Sequence, residues 1–361
     1  MDTKRTVQDR IVSFQALRAL AFLGIFLSHA GSDIRWPTLG VSIFYVLSGF
    51  LTFYKHGNDY MNSTVKDNIR FSWNHISKLY PLHIITMCFA VLLEIILKIQ
   101  YGLTVKGLLV IFGKIILSIL LIQTWVPYSS INVSLNGVSW YLSVSLFLYF
   151  MFPVIKNIII KKKNSFLFIT CLFILLLEII LCIPWVYILG EDSKIYIWFM
   201  YCFPVFRMGD FIVGICLGKW YKEGVFDHDL NFFKMSVVEI FATIITILAY
   251  RWKNVRGGVL IESTHNRTTI YIVIAAVWVV LFAKANGVIT KSLCNKMTYF
   301  LGDISPYIFL IHYVVTSWTN VFVSCSGLQL GFVIKYIVIV LELIISVLLA
   351  CGYKRIKTHC I

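Results

Sequence analysis

The sequence predicts an all-α membrane protein, a polytopic bundle of about ten transmembrane helices forming a single domain over residues 1–361. Three observations carry that expectation. Of 361 residues, 59% are hydrophobic and 14% are charged, a balance that a water-soluble surface of this size does not sustain. Apolar stretches recur from Ile11 to Cys351 with short polar gaps, which leaves no length for a second core. Thirty-two Lys and Arg against 17 Asp and Glu give a net charge of +15. That excess is spread over many short loops, as the positive-inside rule requires, and excludes a nucleic-acid surface.

Hydrophobic segments of spanning length lie at 11–30, 39–54, 80–97, 107–124, 138–157, 166–189, 197–218, 235–250, 269–285, 299–323 and 331–351. Eleven crossings would separate the two basic ends, Lys4, Arg5 and Arg10 from Lys354, Arg355 and Lys357, and would strand the run Lys161 to Lys163 outside. Removing 107–124 from the crossings puts that run, the 55–79 loop and the loops holding Lys219, Lys222, Lys284, Lys291 and Lys296 on one side. Ten spans with both termini cytoplasmic are expected, the alternative being that another segment is the non-spanning one. The removed segment carries Gly107, Gly113, Lys114 and Ser118, and is expected as a re-entrant or interfacial helix whose polar groups protein must cover. Arg18 interrupts the first apolar run, which argues against a cleaved signal peptide. Nine cysteines lack a Cys-x-x-Cys pair; Cys88, Cys171, Cys182 and Cys216 fall inside apolar runs, read as small core residues, and no metal site is expected.

Ionisable side chains inside spans cost about 2.5 to 3.5 kcal/mol on insertion scales, so each needs a reason. Arg18 and His29 are eleven residues apart, which puts them within about 20° of one helix face and about 16 Å apart along the axis. They can line one cavity, Arg18 toward the cytoplasmic side and His29 toward the outer end. The plainer alternatives are an arginine snorkelling to inner headgroups and an interfacial histidine. Arg207 and Asp210 are neighbours on one face of the seventh span and read as a mutually neutralising pair. Gly209, Gly214 and Gly218 beside them permit close helix packing. His312 lies deep in the apolar run of the tenth span. Glu94 and Glu178 are expected to be structural or interfacial, and His75 and His83 to sit solvated at the cytoplasmic start of the third span.

Six collinear segments resemble a known family, the integral membrane acyltransferases called acyltransferase family 3. Phe14 through His29 resembles its opening signature, an arginine followed at this spacing by a histidine. Gly40 through Leu51 is similar to the second-span signature, with an aromatic pair and Leu47-Ser-Gly-Phe50. Lys78-Leu-Tyr-Pro81 resembles the start of the third span. Ser139-Trp-Tyr-Leu-Ser143 with Tyr149 and Pro153 resembles the Trp-x-Leu segment, Phe206-Arg-Met-Gly-Asp-Phe211 the arginine-glycine-acid segment, and Leu301 through His312 the penultimate-span signature. Each motif is weak by itself; six in order are strong. Where many members carry glutamates after Trp-x-Leu-x-Val, this chain has Ser145 and Leu146, so no acidic role is expected there. The paired arginines some members carry at the third span are represented by His75 and Lys78, with Arg70 upstream.

The resemblance implies an enzyme of the bacterial plasma membrane that moves an acyl group, most often acetyl, from cytoplasmic acetyl-CoA or another acyl-CoA to a hydroxyl of a cell-surface or lipid-linked glycan. The acyl-CoA is a donor substrate and no cofactor is held permanently; membrane lipid is the other expected partner. His29 is then the general base, since a neutral imidazole titrates near working pH, and Arg18 a catalytic anion contact. Arg70, His75, Lys78 and Arg207 are the expected coenzyme contacts, while Ser48, Trp140, Tyr149, Asp210 and His312 are expected to line the substrate path. No covalent intermediate is expected, because neither Ser48 nor any cysteine has a visible activating partner. The alternative is a transporter or flippase for an anionic or glycan substrate without chemistry; its inverted repeats are not visible in the two halves. A basic outer stretch, Arg251, Lys253, Arg256 and Arg267 within 251–268, is expected to meet an acidic glycan.

Overall fold

In hydrocarbon every backbone N–H and C=O needs a partner within the chain, and local i to i−4 bonding supplies it without regard to sequence. The computed structural model is accordingly helical, with no strand among its described residues, 7–34, 36–100, 102, 104–189, 193–227, 230–252, 269–328 and 331–359. The helices are α1 (Val7–His29), α2 (Pro37–His56), α3 (Val65–Ile76), α4 (Tyr80–Gln100), α5 (Val105–Ile119), α6 (Ser129–Asn132), α7 (Trp140–Ile159), α8 (Asn164–Leu189), α9 (Lys194–Ile197), α10 (Met208–Lys222), α11 (Phe232–Trp252), α12 (Thr269–Lys284), α13 (Val288–Leu293), α14 (Lys296–Ser326) and α15 (Phe332–His359). Among the described residues eight helices are long and apolar enough to cross a membrane: α1, α2, α4, α7, α8, α11, α14 and α15. The apolar α12 and the 15-residue α10 are shorter and occupy the two remaining expected positions.

The expected span at 197–218 is not one helix. Pro204 has no N–H to continue the ladder and biases Phe203 to extended backbone, where it sits at φ −69° and ψ 123°. The chain therefore ends a π-helical turn at Cys202 and begins α10 afresh, which leaves Arg207 as its N-cap residue.

Segment 107–124 folds back along α4. α5 runs antiparallel to α4, with Lys114 paired to Glu94 at 2.7 Å and the Ser118 and Ile119 carbonyls accepting from His83 (3.0 Å) and Tyr80 (2.9 Å). The chain then reverses at Leu121, whose φ is 54°, and climbs back through irregular backbone to the start of α7. Side chains supply the missing bonds: Ser143 donates to the Leu121 carbonyl at 2.6 Å, Trp198 to that of Thr124 at 2.7 Å and Asn132 to that of Val126 at 3.0 Å. One consequence corrects the sequence reading of His83. It is fully buried beneath α5 rather than solvated.

α1, α2, α10 and α14 form the centre. The backbones approach closely where glycine allows it: a Cβ on Gly214 would meet the Val46 carbonyl of α2, and one on Gly302 would meet the backbone of Gln15 on α1. Lys354 near the end of α15 pairs with Asp303, one residue beyond Gly302, so the start of α1 and the end of α15 lie at the same end of the bundle. Lys357 bonds the Lys78 carbonyl, Lys219 that of Lys162 and Lys156 that of Asp59. That lysine-rich end is the one the positive-inside rule expects on the cytoplasmic side.

Candidate functional site

A cavity of about 140 Å³ lies near the basic end, between α1, α2, α3, α7 and α14. Arg18 projects into it from α1. The α3 helix brings His75, α2 brings Ser48, and α7 brings Tyr141, Ser145 and Tyr149. α3 itself is capped by Thr64, which accepts from the Asp67 N–H at 3.2 Å. It turns Asn68, Ser72 and Ile76 inward and leaves Val65, Ile69 and Trp73 on its exposed face, an interfacial pattern.

Three features of the cavity bear on chemistry. Arg18 is half-buried, donates only to Gln15 Oε1 at 3.5 Å, and forms no ion pair with any carboxylate among the described residues. An unneutralised guanidinium in a low-dielectric recess favours an anionic or strongly accepting ligand. Ser48 Oγ and Tyr149 OH are 2.7 Å apart, a pair in which either hydroxyl can donate. His75 stacks on Tyr149 at 4.5 Å and its Nδ1 bonds the Phe71 carbonyl at 2.8 Å. α3 lies outside the spans, and burial lowers the His75 pKa from its ordinary value.

The other end of the same α1 face carries His29, whose Nδ1 is 2.9 Å from His312 Nε2 on α14. His312 is fully buried, with Phe22 and Phe26 set edge-on to its ring at 5.5 and 6.1 Å. Tyr313 stands edge-on to His29 at 5.2 Å. Between the cavity and this pair stands Phe309, which lines the cavity and lies 5.9 Å from the His312 ring, braced by Tyr141 at 5.3 Å and Phe44 at 6.0 Å.

The sequence-expected residues thus divide into groups. Arg18, Ser48, His75 and Tyr149 meet in the cavity, and His29 meets His312. Arg70 and Lys78 are exposed at the basic end and do not line the cavity. Arg207 does not line it either. It is fully buried 3.5 Å from Asp210, also buried, with Tyr45 and Tyr201 against the guanidinium at 5.1 and 5.8 Å. Trp140 packs on Tyr201 at 4.9 Å behind the same wall. Lys253, Arg256 and Arg267 lie outside the described residues, and Arg251 is exposed near the end of α11.

The expected structural glutamates have partners: Glu94 takes Lys114, and Glu178 accepts from Thr269 at 3.0 Å. Sequence reasoning passed over Glu239, although an acid inside the apolar 232–252 run was a visible signal. Its carboxylate accepts from the backbone N–H groups of Gly287, Ile289 and Thr290 at 3.1, 2.7 and 3.3 Å, capping α13. Tyr141, Ser305 and Phe309 were also missed as cavity residues, since aromatic and small residues in apolar helices carry no sequence signal separating cavity from core.

The model of the acyltransferase domain family matches residues 11–352. Among characterised proteins, the chain is 27% identical over 240 residues to acyltransferase MdmB of Streptomyces mycarofaciens, covering 60% of this chain and 59% of that protein. It is 24% identical to O-acetyltransferase OatA of Staphylococcus aureus, covering 95% of this chain and 56% of that protein. The chain therefore spans less than two thirds of the length of either relative. No solved structure matches it.

Proposed function

Since the chain belongs to acyltransferase family 3, we propose that it is a multi-pass O-acyltransferase of the bacterial plasma membrane. It takes an acyl group, acetyl first among candidates, from cytoplasmic acyl-coenzyme A and passes it to a hydroxyl of a lipid-linked or cell-surface glycan. One observation supports this above the rest: a single face of α1 carries an unpaired Arg18 in a cavity at the basic end and a histidine-bonded His29 toward the other. The printed names of the two relatives, an acyltransferase and an O-acetyltransferase, agree with it.

The donor enters at the lysine-rich end, where Lys78 and Arg70 attract the coenzyme phosphates and His75 borders the cavity. Arg18 holds an anionic or carbonyl oxygen of the donor. The thioester then reaches His29 past Phe309, over a distance of about 16 Å along α1 that suits an extended pantetheine arm. His29 removes the proton of the acceptor hydroxyl as its oxygen attacks the thioester carbonyl. The C–S bond breaks, and the departing thiolate takes the proton back. Arg207 and Asp210, buried behind Tyr45, brace the wall of this path rather than its mouth.

Release of free coenzyme A from acetyl-coenzyme A by detergent-purified protein, with a panel of glycan acceptors, tests the proposal. Acceptor-dependent release should fall about 10²- to 10⁴-fold in His29→Ala, the range for loss of a general base. Arg18→Ala should raise the donor KM. No release and no acetyl-coenzyme A binding would overturn the enzyme reading in favour of a transporter.

A further inference from the structure

The two histidines are hydrogen-bonded in an order that the backbone dictates. His312 Nδ1 lies 3.2 Å from the carbonyl oxygen of Ile308, one helical turn earlier on α14. A carbonyl oxygen only accepts, so this nitrogen carries the proton, and in a neutral imidazole the other nitrogen is then the bare one. His312 Nε2 is therefore an acceptor. The nitrogen facing it at 2.9 Å is His29 Nδ1, which must donate. His29 is left with its lone pair on Nε2, the nitrogen turned away from His312.

We propose that His312 is a positioning residue: it fixes the tautomer and ring orientation of His29 so that Nε2 is the atom that takes the acceptor proton. This assignment replaces the substrate-lining role expected of His312, and it rests on the reading of His29 as general base. A carboxylate in the same place would do the orienting at the cost of burying a charge among Phe22, Phe26 and Phe309. A second imidazole orients while staying neutral. The proton count closes around it. His29 Nε2 accepts the hydroxyl proton, the Nδ1–H bond to His312 becomes charge-assisted and strengthens, and the same proton leaves from Nε2 to the coenzyme thiolate. His312 neither gains nor loses a proton.

The test uses full-length protein labelled with ¹⁵N-histidine. In the wild type, His29 should show a protonated Nδ1 and a bare Nε2, the reverse of the form a free neutral imidazole favours. His312→Phe removes the acceptor, while His312→Gln can present an amide oxygen near the place of Nε2. In His312→Phe the tautomer should revert and kcat should fall about 10²-fold, with donor KM within about threefold; His312→Gln should keep the tautomer and recover at least about tenfold of kcat. A protonated Nε2 on wild-type His29, or near wild-type kcat in His312→Phe, would overturn the proposal. If the wild type turns over no donor, the acyl-transfer reading fails, and the His29 tautomer still decides the hydrogen-bond order.

Discussion

Arg18 and His75 share a cavity and meet its low dielectric differently. Arg18 keeps a permanent charge there and donates to Gln15 Oε1, one turn back on α1. His75 can stay neutral. Burial chiefly lowers its pKa, the Phe71 carbonyl pulls the other way, and His56, Lys55 and Lys78 add smaller downward pushes. The unfolded chain takes up this proton near pH 6.5, whereas the folded chain takes it up only at lower pH. Unfolded protein therefore binds more protons in that window, and stability must fall as pH drops through about 6.5 until the folded value is passed. The melting temperature in detergent should decline between about pH 7 and 5.5, and His75→Gln should flatten that decline. The same slope in both proteins would contradict the assignment.

At the scale of elements, the α1/α14 crossing is what brings His29 to His312. Gly302 permits it, since a side chain there would run into the Gln15 backbone. Pro306, one turn on, cannot donate to the Gly302 carbonyl, and the Ser305 hydroxyl does so instead at 2.8 Å. Gly302→Val should push the helices apart, costing about 1 to 3 kcal/mol and lowering both melting temperature and turnover. Normal values for both would show that the crossing tolerates bulk and that the histidine pair does not depend on it. The α5 hairpin follows the same logic of backbone satisfaction: it can leave the helical ladder near Leu121 because Ser143, Trp198 and Asn132 donate to its free carbonyls.

For the whole molecule, the lysine-rich end is tied together by lysines that bond backbone carbonyls of neighbouring loops. Asp33, bonded to Lys335 and Tyr336 at 3.4 and 3.1 Å, belongs to the opposite end. With native cysteines blocked, Lys162→Cys should react with an impermeant thiol reagent only after the cytoplasmic face is opened. Asp33→Cys should react from outside intact cells. Labelling of both from one face would overturn the topology and the donor side with it.

The sequence by itself determined the lipid solvent, the helical class and the positions of the apolar helices, apart from the break that Pro204 makes in 197–218. These follow from composition, segment length and the placement of lysines, which are properties of the chain read locally. It also determined that Arg18 and His29 share a face, because helical periodicity carries that over eleven residues. Only the tertiary structure decided which polar residues meet. His29 and His312 are 283 positions apart, and Tyr45 of α2, which covers the Arg207–Asp210 pair of α10, comes from a distant part of the chain. The burial of His83 likewise needed α5 to fold back over it. Periodicity assigns a residue to a face of its own helix, but which helix packs on that face is set by long-range packing, and the order of the hydrogen bonds there by the backbone it brings.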